Sequence, residues 1–543
     1  MDPITLQILW DRLLAIVEEQ AQVLMRTAFS TTVREAGDLS AGIFDPNGAM
    51  LAQAITGTPG HVNAMASSVV EFLKAFPLDQ LNSGDVLLTN DPWHGTGHLN
   101  DFTVVTPVFL GDHVVALIAA TSHIADVGGL GFGPEGRQVF EEGLNIPMSR
   151  LYQGGELNET LIQILRANVR DPGSAVGDLH SLTACNHSAA ESLLTTLKEF
   201  DLTTLDPVAE LIIGRSSAAM EAEIRALPES SWHNTMTIDG YDEPVVLSCT
   251  TTIVDGKILV DFAGSSAASS RGINVPLTYT QAYASFGVRC VVGNDIPNNA
   301  GSLSRVVVSA PEGSILNAPR PCAVSARHAI GQMLPDVVLG CLDYPLGGQV
   351  PSEGASCLFG PVFLGGKGVV ADSQSQPFVM NAFYTGGSGA RPAQDGLSCT
   401  AFPSGVRSTP VEITESASPL LITRKEFRPN SGGNGQYRGG LGQRMEFTHV
   451  HGEGFVVSRM FDRIHHPARG RNGGGDGAAA RCAVAGQSDL PGMGRNEVPA
   501  GGTFVLETAG GAGRGDPECR SSAAIQQDLL LGLTTARKTA DND

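Results

Sequence analysis

The stretch from Asn90 to Asp126 constrains this chain more than any other. Two apolar, β-branched runs, DFTVVTPVFL and HVVALIAATSH, meet at Gly111-Asp112, a dipeptide suited to a two-residue hairpin turn. A His-x-x-Asp unit stands at each open end of this hairpin: His98 with Asp101, and His123 with Asp126. With a two-residue turn, Leu110 opposes His113 and opposed residue numbers sum to 223, so His123 faces Asn100 and has His98 as its diagonal neighbour. Diagonal cross-strand residues lie about 7–8 Å apart, close enough for two imidazoles to converge on one ion. Asp101 opens its strand, where a bend after Gly95-Thr96-Gly97 can turn its carboxylate to the same side.

Neutral imidazoles with a carboxylate form a ligand set for Zn or Mn, with Fe also possible, and leave a position open for water whose pKa the ion lowers. The competing reading is that these residues cap strands and satisfy loop amides. Asp38, in Arg34-Glu35-Ala36-Gly37-Asp38, can supply another carboxylate or simply shape a turn. His61, in Gly57-Thr58-Pro59-Gly60-His61, stands at a helix start, where it contacts substrate or belongs to a capping loop. Asp126 and His94 are candidates for a proton relay. Arg327-His328 opens an expected helix over 324–343, where free N–H groups favour an anionic substrate group; the alternative is a surface Arg beside the capping Ser325. Nothing near His449/His451 or His465-His466 completes a metal set.

The remaining pattern places the fold in the α+β class, with several domains. Asp2-Pro3 starts a long amphipathic helix over 4–29, and 37–54 reads as a hairpin turning at Asp45-Pro46-Asn47-Gly48. A helix follows at 61–75, strands fill 85–127, and helices are expected at 158–169, 175–202 and 206–227. A third hairpin turns at Asp255-Gly256, followed by helices at 278–292 and 324–343. Beyond about residue 350, short strands alternate with clusters such as Ser431-Gly432-Gly433 and Gly473-Gly474-Gly475, whose glycines read as turn residues. The expected division is an N-terminal mixed α/β metal-binding region (1–230), a middle α+β region (231–350) and a β-rich, Gly-rich C-terminal region (351–543). That last region ends in a short helix and a frayed tail.

Composition removes several classes. With 42% hydrophobic and 17% charged residues, the 543-residue chain is too apolar for disorder. A net charge of −21 opposes general binding to nucleic acid or anionic membrane. The start of the chain lacks the basic segment of a secretory signal, and no run is long and apolar enough to span a membrane. Nine singly scattered Cys without a CxxC spacing point to reduced thiols and a cytoplasmic protein. There is no G-x-x-x-x-G-K-[ST], and Gly365-Gly366-Lys367-Gly368 does not replace it, so no nucleotide site is expected on this chain. The glycine clusters are not a dinucleotide fingerprint, and Gly386-Gly387-Ser388-Gly389 is not a nucleophile elbow.

At these residues the chain resembles the hydantoinase B family: B-type subunits of ATP-dependent N-methylhydantoinases, the matching half of 5-oxoprolinase, caprolactamase, and related acetone and acetophenone carboxylase subunits. The resemblance rests on GDLSAGIFDPNG and LAQA (37–54), GDVLLTNDP (84–92), HLND (98–101), TSHIADVGG (121–129), LRANVR (165–170) and DIPNNAG (295–301). RPNSGGNGQYRGGLG (428–442) and GGAGRGDP (510–517) extend it to the C-terminal half. It implies a divalent metal on His98, Asp101 and His123, with Asp38 as a fourth ligand. It also implies an A-type partner with an actin-like ATPase fold that binds ATP and Mg, in a hetero-oligomer such as α2β2. The implied reaction is ATP-dependent opening of a cyclic amide (hydantoin, 5-oxoproline or lactam), in which phosphorylation of the poorly electrophilic amide activates it towards metal-activated water. A subunit of an acetone-carboxylase-type ketone carboxylase and a non-catalytic scaffold are the alternatives. Where many relatives read Glu-Arg-x-Asp, this chain reads Glu35-Ala36-Gly37-Asp38, which touches the local pocket.

Overall fold

The computed structural model describes residues 2–55, 57–371 and 373–535. The chain divides into two compact units: Met1–Thr235 with Leu247–Pro345 and Ser404–Val406, and Met236–Val246 with Leu346–Pro403 and Arg407–Asp543. Residues 247–345, most of the region set apart in the sequence as a middle domain, group with the N-terminal segment. The physical reason is that the Leu277–Arg289 helix packs on the Pro59–Ala75 helix of that segment.

The first unit is built on a seven-stranded antiparallel sheet. Its strands are β1 (Leu39–Phe44), β2 (Met50–Gln53), β3 (Val86–Thr89), β4 (Asp101–Leu110), β5 (His113–His123), β6 (Ser149–Gln153) and β7 (Glu156–Leu157), in the order β2-β1-β5-β4-β3-β6-β7. The helices are α1 (Pro3–Thr27), α2 (Thr31–Arg34), α3 (Pro59–Ala75), α4 (Val139–Glu142), α5 (Glu159–Asn168), α6 (Pro172–Glu199), α7 (Asp206–Arg225), α8 (Leu277–Arg289), α9 (Ala300–Leu303), α10 (His328–Gly331) and α11 (Leu334–Leu342). Asp2 caps α1, accepting from the N–H groups of Ile4 at 3.0 Å and Thr5 at 3.1 Å, a contribution of about 1 kcal/mol.

Period-two alternation sorts the strand residues onto two cores. Leu88, Val104 and Ile118 face α1 and α6 through Leu13, Val17, Leu182 and Leu193, while Leu87, Val105 and Leu117 face α3 through Met65, Val69 and Phe72. Covered on both sides, β4 and β5 must be almost wholly apolar, which is how they read in sequence. Gln20 and Asn186 tie α1, α6 and the sheet together: the Gln20 amide donates to Ala119 O at 3.0 Å and to Asn186 Oδ1 at 2.8 Å.

Two sequence expectations are corrected in this unit. The β4–β5 ladder holds the expected register only at the turn, with Leu110 opposite His113 and Phe109 opposite Val114; Val108 then pairs with Ala116, so Val115 is an extra, bulged residue. Pro107 lies beside the bulge, and proline inside a sheet lacks a ladder donor and is found at such irregularities. The shift puts His123 opposite Asp101 rather than Asn100. The expected 324–343 helix is two short ones, α10 and α11, broken before Pro335, whose ring removes an interior donor.

A further four-stranded sheet has the order β11-β10-β9-β8: β8 (Ser230–Ile238), β9 (Val245–Val254), β10 (Lys257–Asp261) and β11 (Val306–Ser309), with β10 and β11 parallel. The second unit carries two antiparallel sheets. One is β13-β12-β16-β18, with β12 (Val362–Gly365), β13 (Phe378–Asn381), β16 (Phe455–Met460) and β18 (Met493–Val498). The other is β14-β15-β19-β17, with β14 (Leu420–Phe427), β15 (Gln443–His449), β17 (Arg481–Val484) and β19 (Phe504–Glu507). They meet over Phe363, Phe447 and Phe504, with the Phe363 and Phe447 rings 4.9 Å apart. The short helix expected within 521–543 is α13 (Ser522–Leu530), preceded by α12 (Val411–Ala417); of the frayed tail expected there, residues 536–543 lie outside the described residues.

The C-terminal glycines are not mainly turn residues. Segments around 387–389, 432–442, 470–477 and 510–513 run against one another, cross-linked by bonds such as Gly440 N to Ser388 O (2.8 Å), Gly511 N to Gly440 O (2.9 Å) and Gly475 N to Asn434 O (2.7 Å). A Cβ on Gly439, Gly440 or Gly511 would overlap a carbonyl oxygen of the adjoining segment. Glycine is required there because backbones touch. Among the described residues no helix is long and apolar enough to cross a membrane.

Candidate metal centre

The bulge-shifted register makes the centre. With His123 directly opposite Asp101, both side chains leave the ladder on one face, and the loop before β4 returns His98 to them. Asn90 holds that loop: its amide donates to Leu99 O at 2.7 Å and Leu144 O at 2.9 Å, and its Oδ1 accepts from Ile146 N at 2.6 Å. Gly97, at φ +99°, lets the chain turn, and a Cβ there would stand 2.5 Å from Arg327 Cδ. His98, Asp101 and His123 are all buried and offer ligand atoms within 4.8 Å of one another; among the described residues they form the one such cluster of three.

Asp101 divides its two oxygens between two tasks. Oδ1 faces His98 Nε2 at 2.7 Å and His123 Nδ1 at 3.3 Å. Oδ2 is held by Arg327 Nη2 at 2.5 Å, Thr96 Oγ1 at 2.6 Å and His61 Nε2 at 2.9 Å. Burial works to raise this carboxyl, but His61 and Arg327 outweigh it and hold it well below the usual carboxylate range, so it is ionised. His98 Nδ1 lies 2.9 Å from Ser325 O, and a carbonyl can only accept, so Nδ1 carries the proton. Burial, with the Arg327 charge, pushes the His98 pKa down to about 4. Its Nε2 is therefore a bare lone pair that makes no hydrogen bond and confronts a carboxylate oxygen 2.7 Å away. Two lone pairs at that distance repel unless a cation lies between them, so this donor set fits a divalent metal.

The other expected residues fall into three groups. His61 adjoins the cluster through Asp101, and Asp38 stands behind it: Oδ1 is 3.6 Å from His61 Nδ1 and accepts from Thr58 Oγ1 at 2.9 Å. Burial alone would lower His61, but the Asp101 and Asp38 carboxylates raise it above its usual value. Arg327 does not head a long helix towards an external anion; besides Asp101 it donates to Thr96 O at 2.7 Å, and its guanidinium lies 4.0 Å from the Tyr279 ring centre. His328 is buried against Phe132, ring centres 5.5 Å apart, and burial with the Arg327 charge lowers its pKa well below the usual value. His94 and Asp126 are not brought in. His94 is half exposed with Asp91 at 3.7 Å, and Asp126 is paired with Arg170 at 2.7 Å.

Sequence reasoning missed Thr58, Thr96, Phe132, Glu142, Tyr279 and Ser325. Phe132 presents its ring to His98 and His123, at 5.6 and 5.0 Å between centres, and closes that side with hydrocarbon. Thr96 and Thr58 stand inside quoted motifs without a role of their own, and Ser325 reads in sequence only as a helix cap; no spacing signal marks the other three.

A helix-covered antiparallel sheet thus carries a buried His-Asp-His cluster at its central hairpin, a donor set that could hold a metal ion. The profile of the family described as Hydantoinase B/oxoprolinase matches residues 2–517, and the chain belongs to that family. It is 27% identical to a protein of Pseudomonas sp. (strain NS671) named as the putative B component of a D-/L-hydantoinase, over 99% of this chain and 94% of that protein. It is 30% identical to 5-oxoprolinase 1 of Arabidopsis thaliana, over 95% of this chain but only 42% of the plant protein. The ATP-dependent caprolactamase from Pseudomonas jessenii has the same fold, with a TM-score of 0.89 at 22% identity, covering 98% of this chain and 95% of that one.

Proposed function

We propose that this chain is the B-type subunit of an ATP-dependent cyclic-amide hydrolase, acting on a hydantoin, 5-oxoproline or lactam ring. The observation that carries the reading is the bare Nε2 of neutral His98 set against ionised Asp101, an arrangement that calls for a cation. Family membership and the names of the relatives supply the reaction class. His98, Asp101 and His123 would hold a divalent ion, with zinc or manganese suiting the donors, and Asp38 standing behind through His61. When bound, such an ion supplies Lewis acidity and lowers the pKa of water.

The chain's own groups prepare this position. Arg327, Thr96 and His61 occupy Oδ2 of Asp101, so its other oxygen stays directed at the histidines. His61, its pKa raised by Asp101 and Asp38, faces Asp101 through Nε2. Tyr279, pushed up to about 12 by burial, stays protonated beneath the Arg327 guanidinium. Phe132 keeps water from the imidazole edges. ATP and its Mg would be handled by an A-type partner in a cytoplasmic hetero-oligomer.

The test is co-purification with the A-type partner, metal analysis, and assay of ATP-dependent ring opening. The His98→Ala/His123→Ala variant should lose the metal and ring opening while the partner still binds ATP. Full turnover by a metal-free double variant would refute the mechanism. ATP consumption that requires bicarbonate and a ketone, and ignores cyclic amides, would replace the hydrolase by a carboxylase.

A further inference from the structure

Glu142 lies outside the cluster, and nothing in the proposed chemistry uses it, yet it is only 3% exposed at the end of α4, and no cation among the described residues is paired with it. Its Oε1 accepts from two consecutive backbone N–H groups, those of Val324 and Ser325, both at 2.8 Å. The next N–H, of Ala326, donates to Gly272 O at 2.7 Å, and the Asn274 amide donates to Ala323 O at 3.0 Å. Both sides of Ser325 are thereby pinned, and its carbonyl is aimed at His98 Nδ1, 2.9 Å away. The carboxyl is fitted into its place: a Cβ on Gly272 would stand 3.0 Å from Glu142 Oε1, and one on Gly136 3.1 Å from its Cγ.

We infer that Glu142 is a positioning residue for the metal centre: by clamping Val324 and Ser325 it fixes the tautomer and orientation in which His98 presents Nε2. The inference rests on the metal reading above. An imidazole whose second nitrogen is anchored offers its lone pair in one direction only, and loss of such an anchor weakens metal binding by roughly 10–100-fold. Without the clamp only the Ala326–Gly272 bond holds the peptide of the Ser325 carbonyl, and the acceptor that keeps the proton on His98 Nδ1 is less firmly placed.

The experiment measures zinc affinity of the full-length chain by competition with a chromophoric chelator, alongside far-UV circular dichroism. Glu142→Gln retains an acceptor oxygen for both N–H groups and should bind zinc within about threefold of wild type. Glu142→Leu should bind about 10–100-fold more weakly. In a His98→Ala background, Glu142→Leu should cause no further loss, whereas a merely structural role would persist there. Gly272→Ala, which crowds Oε1 from the other side, should weaken binding in the same direction and serves if Glu142→Leu fails to fold. A folded Glu142→Leu, or failing that a Gly272→Ala, with wild-type zinc affinity overturns the positioning role while leaving the metal reading intact. A wild-type chain that binds no zinc or manganese overturns both.

Discussion

Asp101→Asn tests the electrostatics of the centre without touching its packing. The carboxylate is 1% exposed and Arg327 3% exposed. The substitution keeps shape and volume but removes the charge that Arg327 faces at 2.5 Å, and it turns one of two acceptor oxygens into a donor. Removing one partner of a buried pair strands the other, at a cost of about 3–5 kcal/mol, against 0–1 kcal/mol for an exposed pair. Arg327 keeps the Thr96 carbonyl and the Tyr279 ring, which favours the lower end of that range. Arg327→Met in the same background removes the stranded charge, so the double variant should be more stable than the sum of the single effects by about 2 kcal/mol. The assay is urea denaturation in chelator, so that metal linkage is absent, followed by tryptophan fluorescence. Trp10, Trp93 and Trp232 are the only three tryptophans and all lie in the first unit, so the signal follows that unit. Additivity of the two substitutions within about 0.5 kcal/mol would refute the argument, because it would mean that Asp101 does not hold the guanidinium.

Glu142 makes a prediction about pH. Burial lifts its carboxyl from the usual 4.5 to about 8, despite the two N–H bonds that favour the ionised form. Between those values the folded chain keeps a proton that the unfolded chain releases, so stability falls as pH rises through the window, by up to about 1.4 kcal/mol per pH unit. Glu142→Gln should flatten that slope in denaturation curves between pH 5 and 8, and an unchanged slope would refute the assignment. In the second unit, Gly511→Ala should abolish soluble expression, because its Cβ would overlap Ser388 O. Gly452→Ala, at φ +70° with nothing within 4 Å, should cost only about 1 kcal/mol. Equal tolerance of the two, measured as soluble yield and melting temperature, would contradict the packed-backbone account.

What the sequence made legible is the part of the fold whose signals are local. The β4–β5 hairpin turns where Gly111-Asp112 says it should, and α1 begins at the Asp2-Pro3 signal. The helices at 159–168, 172–199 and 206–225 lie within a few residues of the apolar periodicity that announces them. The register failed by one residue because a bulge is a property of two strands together. Pro107 was the visible warning, since a buried strand has no use for a missing donor unless the ladder is already irregular there. The helix over 324–343 failed for a related reason: Pro335 forbids continuation through it, and apolar periodicity alone does not register a missing N–H.

The site shows the same division more sharply. His98, Asp101 and His123 are joined by one hairpin, so arithmetic on a short stretch could bring them together. Arg327 and Ser325 reach the same carboxylate and imidazole from 226 and 227 residues away, and no spacing rule spans such a distance. Glycine misleads in the opposite sense. Its absent side chain serves a turn, where φ must be positive, and a packed backbone, where a Cβ has no room, and a string of letters does not distinguish the two. The distinction lies in the partner segment: Gly440 touches Ser388 and Leu397, distant in sequence, while Gly111 touches nothing. A glycine cluster that recurs along a chain without hydrophobic strands on either side is thus as much a signal of backbones laid against one another as of successive turns. The consequence for this chain is that its second unit derives order from main-chain hydrogen bonds between glycine segments as well as from the small aromatic core at Phe363, Phe447 and Phe504.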